Sequence, residues 1–125
     1  MVARVQNAGL ARITAALIAL NWWLQWGTGS GAAASANAVT TTSTTEARTA
    51  ATASQQTTTV TNDTMRLTGT ITALGTRAIT EVGAFDAVGT GGPATGGNMD
   101  LYADFSVVNL LINDSIAFTL NNSYV

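Results

Sequence analysis

Apolar and polar residues alternate along the C-terminal half of the chain with the period of a β-strand. In the stretch DTMRLTGTITAL, apolar side chains fall on one set of alternate positions, at Met65, Leu67, Ile71 and Ala73. The positions between them carry Arg66 and threonines. Successive side chains of a strand point to opposite faces, so this stretch predicts a strand with one buried face.

Three further stretches continue this pattern, and turn residues separate them. RAITEVGAF follows Gly75, and AVGTGGPATGGNM then carries five glycines and the single proline of the chain. MDLYADFSVVNLL and SIAFTLNNSYV flank the turn NDS. Their apolar faces are predicted at Leu101, Ala103 and Phe105, and at Ile116, Phe118 and Leu120. Short strands joined by Gly, Asn and Asp turns predict a mainly β fold, a small antiparallel β-sandwich or jelly-roll-like body.

The N-terminal part has a different period. Apolar residues recur at helical spacing, at Leu10, Ile13, Leu17 and Leu20. Asn7 is a candidate N-cap and Gly27 a candidate stop signal, and three tryptophans precede that glycine. We therefore predict an N-terminal helix or arm over residues 1–26, whose Leu and Trp side chains are buried in this chain or in a neighbouring one.

Residues 1–26 also imitate a secretory signal peptide. Arg4 and Arg12 are followed by the apolar run ITAALIAL and later by the small residues GAAASA. The tryptophans stand between these two stretches, which counts against cleavage there. The apolar run is short of the ~20 residues that a membrane helix needs. Burial of the segment against protein is the preferred interpretation.

Residues 27–56 form a stretch of low complexity, rich in Ala, Thr, Ser and Gly. Glu46 and Arg48 are its only charges, and in a strand they would share one face. We predict a loop or arm that becomes ordered against partners. The chain then divides into an anchor at 1–26, an arm at 27–56 and a β body at 57–125, within a single domain.

Composition excludes several kinds of chemistry. The chain has 125 residues and contains no cysteine, histidine or lysine. Thiol nucleophiles, Schiff-base lysines and the P-loop lysine are therefore excluded, and the commonest general base is missing. Charged residues make up 10% of the chain, against roughly 25% in an average domain. The net charge of -2 argues against nucleic acid as a partner. We predict no catalytic, cofactor-binding or metal-binding residues, and no cofactor.

Glu81 is the carboxylate that most needs an interpretation, because it lies within an apolar strand. With Asp100 or Asp104 it could form the pair of acids that a glycosidase uses, if their strands are neighbours. We favour a structural role, in which Glu81 pairs with an arginine such as Arg66 or Arg77.

The order of motifs resembles a widespread group of small structural proteins of tailed bacteriophages. The motifs are WGTG, TTEART, AITEVGAFDA, a glycine-rich loop, MDLYADFSVVNL and NDSIAFT, and they span about residues 22 to 120. The resemblance implies a virion protein without enzymatic activity. Such proteins serve as capsid decoration (cement) proteins or as tail-fibre-like proteins.

A cement role fits the composition as well. We predict a protein of the phage head surface that bridges neighbouring capsid subunits. Its partners would be the major capsid protein and copies of itself as a dimer or trimer, with no nucleic acid and no membrane. A tail-fibre or tail-associated adhesion protein is the alternative, and a secreted carbohydrate-binding domain also remains open. The predicted partner-binding residues are Leu17, Leu20, Trp22, Trp23 and Trp26.

Overall fold

The computed structural model describes residues 1–29 and 45–125, and within them the chain forms one α-helix and six β-strands. These elements are α1 (Asn7–Ile18), β1 (Trp22–Gly27), β2 (Thr49–Gln56), β3 (Thr64–Thr72), β4 (Arg77–Phe85), β5 (Met99–Leu110) and β6 (Ser115–Ser123). The prediction of a mainly β fold with an N-terminal helix is confirmed.

The six strands form one antiparallel sheet that curls into a nearly closed barrel. The strand order is β5-β4-β1-β2-β3-β6, so β5 and β6 are its two ends. Their side chains meet across the remaining gap, where the rings of Phe105 and Phe118 lie 6.0 Å apart between centroids. The barrel core is therefore completed by side chains at this point, and not by backbone pairing.

The core of the barrel follows the alternation of the sequence. Met65, Leu67, Ile71 and Ala73 of β3 and the turn after it are all buried, as their spacing predicts. Trp26 of β1 packs edge-on against Phe118 of the end strand β6, with ring centroids 6.4 Å apart. Large aromatic side chains of this kind contribute much of the buried apolar surface of a small domain.

The tryptophan segment was predicted as part of an N-terminal helix or arm, and that assignment is wrong, whereas the burial of Trp22 and Trp26 within this chain agrees with one of the two predicted alternatives. Residues 22–27 form β1, in the middle of the sheet, and α1 already ends at Ile18. Trp22, Leu24 and Trp26 alternate, so all three side chains enter the core. Gly27 consequently ends a strand and not a helix.

The helix itself lies where the sequence places it, although its first turn differs. It begins at Asn7, but Gln6 occupies the N-cap position and makes no side-chain cap bond. Thr14 is buried against the sheet and donates a hydrogen bond of 2.7 Å to the carbonyl oxygen of Asn62. Gln55 of β2 donates to the carbonyl oxygen of Ala11 at 2.9 Å. Polar bonds thus fix the helix on β2 and β3.

The predicted arm at 27–56 also requires correction. Its last residues form β2, which pairs with β1 on one side and β3 on the other. Ala51 lies opposite Trp22, and Ala53 lies opposite Leu67, so small residues leave room for large neighbours. The boundaries at 26 and 56 therefore divide a single sheet. The rest of the predicted arm, residues 30–44, lies outside the described residues.

Asp63 closes the turn between β2 and β3. Its carboxylate accepts hydrogen bonds of 2.8 Å from the backbone N–H groups of Thr58, Thr59 and Val60, and one of 2.9 Å from the hydroxyl of Thr64. Burial acts to raise the pKa of Asp63, but these hydrogen bonds outweigh it and hold the pKa well below its ordinary value. The turn therefore requires the charged form of this side chain.

Acidification should destabilise the fold through Asp63. Its folded-state pKa lies below the unfolded value of about 3.9, so the carboxylate stabilises the fold above that pH. The contribution is lost as the pH falls towards the folded-state pKa. Urea unfolding midpoints at about pH 7 and about pH 3 measure this loss. Asp63→Asn should lower the midpoint at neutral pH and shrink the further drop in acid.

The matched control is Asp104→Asn, because Asp104 is exposed on β5. This variant should behave like the unmodified chain at both pH values. An acid-induced drop of the same size in Asp63→Asn would contradict the role assigned to the Asp63 carboxylate.

Candidate assembly surface

An apolar groove runs along the gap between β5 and β6, and we call it the seam groove. It encloses about 280 Å³. Its lining includes Ala103, Phe105, Val108, Ile116, Phe118 and Leu120. These residues belong to the apolar faces of the two end strands, so the groove is a place where the barrel core reaches the surface.

The outer edges of β5 and β6 are free of strand pairing within residues 1–29 and 45–125. β5 has twelve residues and β6 has nine, which is long for strands at the end of a sheet. A free edge presents unpaired N–H and C=O groups and can pair with another chain. The seam groove is therefore bordered by backbone that can accept an added strand.

A cluster of exposed apolar side chains lies at the end of the barrel where β5 finishes, and we call it the apolar end. Its members are Leu74, Val107, Val108, Leu111 and Ile112. Two backbone hydrogen bonds of 2.8 Å bring their turns together, from Ala73 to the carbonyl oxygen of Asp114 and from Asn113 to that of Ala73. Leu111 is 66% exposed and Ile112 61%. Several exposed large apolar side chains near one end of a domain are typical of an interaction site.

The few charges of the chain do little to keep its surface away from other proteins. Of the twelve formal charges, four are buried: Glu46, Arg48, Asp63 and Glu81. The remaining eight are four arginines and four aspartates, whose formal charges cancel. The net charge of -2 therefore belongs to the buried set, and the surface that faces solvent is neutral as a whole. Proteins without net surface charge associate readily.

The five predicted partner-binding residues differ in how far they are exposed. Trp22 and Trp26 are buried in the core of this chain, so in this fold they present no surface to a partner. Leu17 and Trp23 are half-buried, and Leu17 packs against that same core. Leu20 alone among the five is well exposed, at 57%.

Sequence reasoning missed the apolar end, although the sequence contains a signal for it. In SVVNLLIND, apolar residues stand next to each other and break the alternation of a half-buried strand. Adjacent apolar residues in a strand cannot all point to one face. Some of them must therefore be exposed, and Val107 is 53% exposed.

Glu81 is completely buried on the face of β4 that points away from the core. The hydroxyl of Tyr102 on β5 donates to its Oε2 at 2.9 Å. On β1 its register partner is Gly27, and a Cβ atom at that position would collide with the Glu81 carboxylate. The absence of a side chain at Gly27 thus makes room for this acid.

The arginines expected beside Glu81 bind elsewhere, so that pairing prediction is wrong. Arg77 forms an ion pair with Glu46, with Nε 3.0 Å from Oε1. The same Glu46 carboxylate accepts hydrogen bonds from the indole of Trp26 at 3.3 Å and from the backbone N–H of Leu74 at 2.8 Å. Arg66 donates to an asparagine of β6. Glu46 therefore ties the start of β2 to β1 and to the turn before β4.

β4 and β5 are neighbours, and their register places Asp104 opposite Glu81. Their strands are therefore neighbours, which is what a pair of catalytic acids formed by Glu81 and Asp104 would require. The burial of Glu81, however, leaves it no surface for a substrate. Within residues 1–29 and 45–125, no group of three or more His, Cys, Asp or Glu side chains is placed to hold a metal ion.

The glycine-rich loop between β4 and β5 is built around Arg48. Its guanidinium donates hydrogen bonds of 2.8 Å to the carbonyl oxygens of Ala87 and Gly96, and one of 2.9 Å to the side chain of Gln25. It also stacks 3.6 Å above the ring centre of Phe85. The loop is therefore anchored by hydrogen bonds to a buried arginine.

Comparisons of the chain with protein-family models, with curated proteins and with solved structures found no match. In the part of the chain that the structure describes, no helix has the length and apolar character to cross a bilayer. Function is therefore inferred from the residues and the geometry of this chain.

Glu81→Gln tests the structural role of the buried carboxylate. The substitution keeps the shape but weakens the hydrogen bond from Tyr102, so we expect a loss of about 1–3 kcal/mol in the free energy of unfolding. Urea denaturation measures it, and Asp100→Asn at an exposed position of β5 that does not lie opposite Glu81 is the control. A hydrolytic activity that disappears in Glu81→Gln without loss of stability would contradict the structural role.

Replacing Leu111 and Ile112 together by serine tests the apolar end. Because both side chains are exposed, we expect self-association or capsid attachment to weaken while the unfolding midpoint stays nearly unchanged. Leu67→Ser is the contrasting control, since Leu67 is buried and its loss should lower stability by about 2–5 kcal/mol. Unaltered association in the double serine variant would remove the apolar end from the assembly surface.

Proposed function

We propose that this protein is a non-enzymatic structural protein of a tailed-phage virion, a capsid decoration (cement) protein that bridges neighbouring capsid subunits on the head. The observation that carries the proposal is the combination of two long free strand edges with the apolar end, on a surface whose formal charges cancel. Such a surface favours permanent contact with other proteins.

The motifs of the phage resemblance lie at this surface. AITEVGAFDA forms most of β4 and the start of the glycine-rich loop, beside β5. NDSIAFT forms the turn at the apolar end and the first half of β6. NDSIAFT therefore builds one border of the seam groove and the turn beside the apolar end, and AITEVGAFDA forms the strand next to the other border.

The state of the charged side chains supports a role without catalysis. Glu46 and Arg48 hold neighbouring segments together, and Asp63 holds a turn. Glu81 is enclosed between Gly27 and Tyr102. Each of the four buried charges thus has a structural task in the barrel.

Capsid and tail roles would use the same surface, and the number of copies per particle separates them. If the protein is a cement protein, quantitative mass spectrometry of purified particles should find it in proportion to the major capsid protein, in hundreds of copies. A handful of copies would indicate a tail component. Absence from particles would overturn the virion role altogether.

Washing particles in salt and in mild denaturant tests how the protein is held. Attachment through apolar contacts and strand pairing should survive about 1 M salt, because such salt screens exposed charges over about 3 Å and leaves apolar contacts intact. Urea below the unfolding midpoint should release it. Release by salt alone would show that charge contacts hold the protein, contrary to the neutral surface described above.

A further inference from the structure

Residues 1–6 precede α1 and lie in the open. Gln6 has extended backbone angles, with φ of -82° and ψ of 164°. Met1, Val2 and Val5 are exposed, and Val5 is 58% exposed although it lies beside Gly9. Apolar side chains of this kind, on a segment that has no sheet partner of its own, are available for contact with another molecule.

The pattern of this segment is that of a strand. Its odd positions, Met1, Ala3 and Val5, are all apolar, and its even positions are Val2, Arg4 and Gln6, of which the last two are polar. In an extended conformation the odd positions share one face. That face matches the seam groove, whose walls are apolar and whose border at β5 is an edge that pairs with none of the described strands.

We propose that residues 1–6 of one copy add as a strand to the free edge of β5 in a second copy, with Ala3 and Val5 in the seam groove. Six extended residues span about 20 Å, and the twelve residues of β5 offer an edge about twice as long. Main-chain hydrogen bonds would supply affinity, and the groove would select the apolar face, as in other cases of strand addition.

Charge favours this occupant over another copy of β5. Asp100 and Asp104 are exposed on the face of β5 that points away from the groove. With Val5 in the groove, Arg4 lies on the same outward face as these aspartates, and opposite charges on neighbouring strands attract. Symmetric pairing of two β5 strands centred on Tyr102 would instead set Asp100 against Asp104.

The segment does not lie in the groove of its own chain. Arg4 and Val5 line a separate depression together with Val60 and Tyr124. None of these residues lines the seam groove. Reciprocal exchange of the segment between two copies would give a closed dimer, and cyclic exchange would give a trimer. The inference rests on the proposed assembly role and names the contact by which copies hold each other.

Disulfide trapping between different copies tests this contact, and the natural absence of cysteine makes it specific. One copy carries Val5→Cys and a second, differently tagged copy carries Ala103→Cys. After mixing and mild oxidation, the proposal expects a disulfide-linked heterodimer of the two tags. The control replaces Ala103→Cys by Thr70→Cys, an exposed position on β3 outside the groove, and should give little of it.

Matched variants then test the two faces of the segment by sedimentation analysis. Val5→Ser should weaken self-association about tenfold, whereas Val2→Ser on the outward face should leave it nearly unchanged. Arg4→Glu should weaken it about three- to tenfold, and Asp104→Arg in the same chain should restore most of the loss. Removal of residues 1–6 should lower the unfolding midpoint only slightly, because these side chains are exposed and the loss is confined to the hydrogen bond from Leu10 to the carbonyl oxygen of the N-cap Gln6.

The proposal is overturned if the mixed copies give no more cross-link than the control pair. It is also overturned if the chain without residues 1–6 associates as strongly as the full chain. Either result leaves the virion role intact when particles still contain hundreds of copies. Conversely, a specific cross-link in a protein that is absent from particles would support the strand exchange and reject the virion role.

Discussion

The barrel depends on β1, because among the described strands it alone connects the two halves of the sheet by backbone pairing. β4 and β5 pair with each other on one side of β1, and β2, β3 and β6 form a continuous ladder on the other. The ladder between β1 and β2 extends over only three residue pairs. Trp22, Leu24 and Trp26 compensate for this short ladder by packing into the core from the centre of the sheet. The buried Glu46 adds a polar tie between the start of β2, β1 and the turn before β4.

This arrangement explains which parts of the fold the sequence predicts. β3, the first half of β5 and β6 alternate apolar and polar residues, so these strands follow from period, whereas β4 is marked by Gly75 before it and the glycine-rich loop after it. The sequence of β2 lacks the alternation of large apolar and polar residues, because its inward positions are alanines. Ala51 is small since Trp22 lies opposite, and only the pairing shows that a small residue belongs in the core there. The tryptophans misled the prediction for the converse reason, since they follow directly on a helical pattern.

The sequence indicates that the protein associates with others, but it does not indicate which residues form the assembly surface. Low charge and apolar content indicate a protein that associates with others, and they do so from composition. Which apolar residues are exposed depends on tertiary packing: Trp26 is enclosed by Phe118 and its neighbours, whereas Leu111 and Ile112 project from a turn. The same holds for charge. Composition gives a net charge of -2, but only the fold shows that Glu46, Asp63 and Glu81 are inside and that the outer charges cancel.

The gap between β5 and β6 and the neutral surface both favour association with another chain. A soluble β protein protects its edge strands with prolines, lysines or short length, and β5 and β6 have none of these. The contact between Phe105 and Phe118 buries apolar surface across the gap, while the outer edges of both strands pair with none of the described strands. A full closure would need either a seventh strand or direct pairing of β5 with β6. Direct pairing of β5 with β6 would close the barrel of a single copy and remove its free edges. A seventh strand from another chain would close the barrel and at the same time join two copies. Burial of four of twelve charges lowers the electrostatic barrier to such an approach. Asp100 and Asp104 on β5 would then favour a neighbouring strand that carries a basic residue over other neighbouring strands.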